Sequence, residues 1–194
     1  MTLWYFTRAS GAVALVLLTA SLVLGVVDVG RWTSRRFPRF VTDALHRTVS
    51  LLVVAFVALH VLTAVLDSFA PVRLVDAVVP FGSAYRPLWL GLGAVAFDLL
   101  LALVLTSLLR ARVGLRAWRA VHWTAYACWP LALVHGIGSG SDIRAGWMLW
   151  LSAGCAIAVA AAALARAGTA AADGFAVMWT AGAIALSALA RAIW

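Results

Sequence analysis

Residues 118–138 read WRAVHWTAYACWPLALVHGIG. The stretch is apolar enough to sit in lipid and has about the ~20 residues that a membrane span needs. Yet it holds His122 and His135, two of the chain's four histidines, with Pro130 between them. Polar side chains are costly inside a bilayer and usually have a role there. What these two imidazoles do decides whether the chain only sits in a membrane or works across one.

The rest of the chain supports a membrane setting. Of its 194 residues 65% are hydrophobic and only 11% charged, whereas a soluble domain is nearer half apolar because its surface must be polar. Apolar runs fall at 9–27, 42–66, 88–109, 119–138, 146–165 and 173–192, so the expectation is an all-α membrane protein, a bundle of six transmembrane helices forming one domain over residues 1–194. Gly30 and Pro38, then Pro71, Pro80 and Pro87, then Gly138, Gly140 and Gly146 separate the runs. The N-terminal run is too long for the apolar part of a signal peptide and is read as a retained helix. In the one long loop, VRLVDAVVPF (72–81) is expected to lie along the interface as an amphipathic piece.

All fifteen basic residues are arginine and all seven acidic ones aspartate, while Lys, Glu, Asn and Gln are absent. That bias resembles a GC-rich bacterial genome. The net charge of +8 does not point to nucleic acid, because the arginines form short clusters between apolar runs. Arg31, Arg35, Arg36 and Arg39 follow the first run, Arg110, Arg112, Arg116 and Arg119 the third, and Arg166 the fifth. The opposite loops offset Arg73, Arg86 and Arg144 with Asp67, Asp76 and Asp142. The arginine-rich side is therefore expected to be cytoplasmic, with both termini outside the bacterial cytoplasmic membrane. Tryptophans near the span ends suit the interface. Cys128 and Cys155 each lie within an apolar run and offer no disulfide framework.

The other two histidines, His46 and His60, stand fourteen residues apart in DALHRTVSLLVVAFVALH (43–60). Each pair spans roughly 20 Å along its helix, so each helix carries one histidine per leaflet. Spans 2 and 4 run in the same direction, which sets His46 level with His122 and His60 level with His135. Two level pairs of imidazoles are what two b-type haems need, each iron taking one nitrogen from each helix. Bis-histidine ligation leaves no open site, which favours electron transfer over binding of O₂. A zinc site fits badly, since its ligands must converge within about 2 Å of one ion. For any single histidine, a structural hydrogen bond is the alternative; four in matched pairs favour ligation.

At His46-x13-His60 and His122-x12-His135, with the lead-in TSLLRARVGLRAWRAVHWTAY and the close LVHGIGSGSD, the chain resembles the ferric reductase-like transmembrane family. That family includes NADPH oxidase cores, ferric reductases and the haem subunit of the bacterial methionine sulfoxide repair system. The resemblance covers residues 8–165 and not the sixth run. It implies two haem b groups and an oxidoreductase component that moves electrons from a cytoplasmic-side donor to an extracytoplasmic acceptor. Larger members add a flavin- and NADPH-binding domain. Here Gly136-x-Gly138-x-Gly140 ends an apolar helix instead of opening one, so it is a turn and no dinucleotide site. The expected donor is a separate flavoprotein or a membrane quinol.

Other candidates carry less. Thirteen residues leave His135 about 140° out of phase with His122 on an ideal helix, so non-ideal geometry is expected between them, with Pro130 as its natural site. Trp129 and Cys128 lie between the two haem levels, where Trp129 is a candidate electron relay. Asp98 stands mid-span as a candidate proton or polar site. Arg47, beside His46, is the first candidate for a haem propionate, then Arg39 and Arg119, with Arg73, Arg86 and Arg144 outside. Asp43 is expected to cap span 2 or to act as an acceptor behind a ligand. Two rival readings are a cytochrome b subunit of a larger quinone-linked complex and a haem-free transporter using its histidines for protons or metal.

Overall fold

The computed structural model describes residues 2–29, 38–68, 70–139 and 146–168. The expected sixth span, 173–192, lies outside them, as do Arg31, Arg35, Arg36, Gly140, Asp142 and Arg144. The described residues form helices and no strand. Helix α1 is Thr2–Val29 and α2 Arg39–Leu66; α3 is Pro87–Leu108, α4 Arg110–Val113, α5 Leu115–His122 and α6 Ala125–Ser139. A last described helix, α7, covers Trp147–Gly168. Four of these, within α1, α2, α3 and α7, are long and apolar enough to cross a membrane.

The expected fourth span is two helices. Trp123 and Thr124 separate α5 from α6. The Thr124 N–H donates to Val121 O at 2.9 Å and the Ala127 N–H to Thr124 O at 3.0 Å, both three-residue steps. Such steps advance the chain by about 120° per residue instead of about 100°, which reduces the phase gap between His122 and His135. Pro130 lies inside α6, so the break falls upstream of the proline. The carbonyl that a proline ring crowds belongs to the residue four before it, here Tyr126, second in α6.

Packing uses small side chains, as is usual between helices in lipid. Helix α1 lies along α2, α3 along α6, and α1 also touches α6. Ser21 and Ser50 share a hydrogen bond of 2.8 Å across α1 and α2. Leu15, Trp129, Met148 and Cys155 join α1, α6 and α7 in one buried cluster, and Ala96, Leu103 and Cys128 join α3 to α6 in another. Helices α2 and α6 are not packed along one another. The two helices that carry three of the four histidines are held apart.

Helix α2 starts at Arg39 behind Pro38, so Asp43 sits in its second turn and does not cap it. In the long loop only Leu74–Ala77 is helical, as a 3-10 turn. Leu74, Val75, Val78 and Val79 are exposed there, while Asp76 is buried. Asp76 accepts the Arg73 N–H at 2.9 Å and the Arg73 guanidinium at 2.9 Å. Hydrogen bonds from the Arg73 side chain, then from its backbone, hold the Asp76 carboxyl below the usual carboxylate range. A carboxyl lowered by folding stabilises above its unfolded value of about 3.9 and loses that contribution as pH falls through the lowered one. Asp76→Ala is thus expected to make the 67–86 loop protease-sensitive at neutral pH, and the unsubstituted chain to become so only in acid. Limited proteolysis in detergent checks both.

Candidate functional site

The four histidines meet in two pairs. His46 and His122 have ring centroids 6.3 Å apart with planes at 70°. His60 and His135 have centroids 6.2 Å apart with planes at 81°. Each ring is half-buried. Among the described residues no group of three or more His, Cys, Asp or Glu gathers anywhere.

Three of the rings are held in the same way. His60 Nδ1 lies 2.8 Å from Thr7 O, His46 Nδ1 2.9 Å from Ser21 O, and His135 Nδ1 2.8 Å from Trp89 O. A carbonyl only accepts, so Nδ1 carries the proton and donates in each case. That fixes the tautomer in which Nε2 is unprotonated and free to bind a metal. Each acceptor is followed four residues later by a glycine of the same helix: Thr7 by Gly11, Ser21 by Gly25, Trp89 by Gly93. A Cβ on Gly11 would stand 2.9 Å from His60 Nδ1, and one on Gly93 2.5 Å from His135 Nδ1. On Gly25 it would meet His46 Cε1 at an ordinary 3.5 Å. The glycines clear the approach of the rings to the carbonyls.

His122 departs from this pattern. Its Nδ1 is buried without a hydrogen-bond partner among the described residues. Its ring instead stacks on Trp118, with centroids 4.7 Å apart and planes at 25°.

A cavity of about 580 Å³ opens between His60 and His135 and is lined by Gly11, Leu15, Gly93, Phe97 and Ala132. It lies in the ~300–1,000 Å³ range of small-molecule and cofactor sites. Arg8 and Arg86 also line it. Arg86 donates to Gly138 O at 3.0 Å and Ser139 O at 3.3 Å, closing the end of α6.

The other expected site residues are scattered. Arg47 is exposed on α2, and Arg119 on α5. Arg73 pairs with Asp76 at 2.9 Å. Trp129 donates to Thr19 Oγ1 at 2.8 Å, and Cys128 Sγ contacts Ala96 O at 3.3 Å, so both are anchored in the core. Asp98 is half-buried on α3, with no hydrogen bond or ion pair among the described residues. Arg8 and the three acceptor–glycine pairs were not evident from sequence. The signal was a spacing: Thr7-x3-Gly11 and Ser21-x3-Gly25 repeat at fourteen residues, the interval between His46 and His60.

The family model described as "Ferric reductase like transmembrane component" matches residues 10–133. The match includes His46, His60 and His122 and stops two residues before His135. No curated protein and no solved structure matches the chain significantly.

Proposed function

The chain belongs to the ferric reductase-like transmembrane family, and from that premise we propose that it carries electrons across a membrane through two haem b groups. His46 and His122 would hold one iron, His60 and His135 the other. The observation that carries this reading is the spacing of the rings. Metal–imidazole bonds are about 2.0 Å long and a ring centre lies about 1.1 Å behind its ligating nitrogen, so two imidazoles sharing one metal would have centroids up to about 6.2 Å apart. The two pairs stand at 6.3 and 6.2 Å. No third protein donor joins either pair among the described residues, which suits a group that brings its own four equatorial nitrogens. When bound, such groups would supply a one-electron relay.

The protein's share is to bind, orient and exclude water. The α1 and α3 carbonyls orient His46, His60 and His135 and keep their Nε2 atoms free. Helices α2 and α6 are not packed along one another, and Leu15, Phe97 and Ala132 line the cavity between His60 and His135 with apolar atoms. Arg8 and Arg86 supply cationic groups at that cavity for carboxylates.

In this reading the chain spans the bacterial cytoplasmic membrane six times, the sixth time at residues 173–192. The donor on the arginine-rich, cytoplasmic side is a separate flavoprotein or a quinol, and the acceptor lies outside. Trp129, buried between the two levels, is a proposed relay between them, and Asp98 a polar site on α3. A reduced-minus-oxidised spectrum with haem quantitation tests the reading on purified protein. Two low-spin b haems per chain are expected; one per chain removes one pair as a site, and none ends the haem assignment.

A further inference from the structure

The unpaired Nδ1 of His122 follows from a break in a regular pattern. On α1 the two acceptor–glycine pairs are fourteen residues apart. Fourteen residues beyond Trp89 and Gly93 on α3 stand Leu103 and Ser107. Serine thus occupies the place of the fourth glycine. Its Oγ accepts the Trp118 indole N–H at 3.3 Å. Trp118 in turn stacks on His122, and the Arg110 guanidinium lies 4.2 Å from the centre of the indole on α5. Guanidinium over indole is a favourable arrangement.

We propose that Trp118 is the positioning residue of the inner pair: clamped between Arg110 and Ser107, it fixes the plane of His122 by stacking, where a backbone carbonyl fixes the other three rings. The inference rests on the haem reading above. It makes the two levels chemically unequal. At the outer level both ligands donate Nδ1–H to carbonyls, which raises ligand basicity. At the inner level only His46 does. Less basic ligation favours the ferrous state, so this difference alone would raise the potential of a haem held by His46 and His122.

The plane of His122 has a direct readout. Axial imidazoles near perpendicular keep two iron d orbitals close in energy and give a strongly anisotropic low-spin ferric EPR signal. Freeing one ring to rotate broadens that signal or makes it more rhombic. The test is EPR and redox titration of the holoprotein and its Trp118→Leu and Trp118→Phe variants, with the inner signal assigned as the one lost in His46→Leu. Trp118→Leu is expected to broaden or shift the inner signal and its midpoint potential while leaving the outer ones unmoved. Trp118→Phe, which keeps an aromatic face, restores the inner signal. Ser107→Ala, which only unties the indole, gives a smaller change in the same direction. Two haems with an unmoved inner signal in Trp118→Leu overturn this inference alone. Equal shifts at both levels in Ser107→Ala overturn it as well. Unsubstituted protein without haem overturns the parent reading with it.

Discussion

His60→Gly is expected to lower haem content from two per chain to one and to reduce electron delivery to an outer acceptor to background. The inner pair, roughly 20 Å away along the helices, keeps its haem and its low-spin spectrum. The reasoning starts from what His60 holds. Its Nδ1 is fixed by Thr7 O at 2.8 Å, and its ring faces His135 at 6.2 Å across the cavity of about 580 Å³. Removing the imidazole would leave a haem at this level one protein ligand, with His135 still seated on Trp89 O. The space vacated is open to the cavity, so millimolar imidazole is expected to restore the second haem and part of the electron transfer. Imidazole rescue separates ligation from packing, because a merely structural histidine would be replaced as well by an apolar side chain. Leucine at position 60 should give the same loss without rescue by imidazole. A His60→Gly protein that keeps two low-spin haems without added imidazole rejects the pairing.

Different parts of this arrangement were legible in the sequence to different degrees. The membrane setting came from composition and run length, because about 20 apolar residues in a row have few other uses. The level pairing of histidines came from spacing, because a helix converts residue number into height at about 1.5 Å per residue. Height is robust, whereas angle is not. The phase gap of span 4 showed that something had to give, and Pro130 was the visible suspect. The break lies instead at Trp123–Thr124, upstream of the residues that the ring of Pro130 crowds. The loop was harder. VRLVDAVVPF has an amphipathic composition, yet Asp76 turns inward to the Arg73 side chain while Val75, Val78 and Val79 face out. A local ion pair there outweighs periodicity. The carbonyls that orient the histidines are invisible to any search for side-chain motifs. Only the glycines that make room for them leave a trace.

Those glycines support the second large effect. Gly93→Ala is expected to cost the outer haem, Gly11→Ala to weaken its binding, and Gly25→Ala to leave the inner haem in place. The order follows from the room that each ring leaves. A Cβ on Gly93 would stand 2.5 Å from His135 Nδ1, on Gly11 2.9 Å from His60 Nδ1, and on Gly25 3.5 Å from His46 Cε1. Overpacking of this kind typically costs about 1–3 kcal/mol, and here it falls on the contact that orients a ligand. His135 can escape the new methyl only by giving up Trp89 O, which frees its tautomer and its plane together. Helix propensity acts in the opposite sense, because alanine favours a helix over glycine by roughly 1 kcal/mol. A loss of haem in Gly93→Ala is therefore not explained by a weaker α3. Haem quantitation with circular dichroism distinguishes the cases: one haem with undiminished helix supports the seat, and two haems with an unchanged outer EPR signal reject it. The contrast between Gly93 and Gly25 is the sharper measurement, since the two substitutions are chemically identical and differ by about one ångström of clearance.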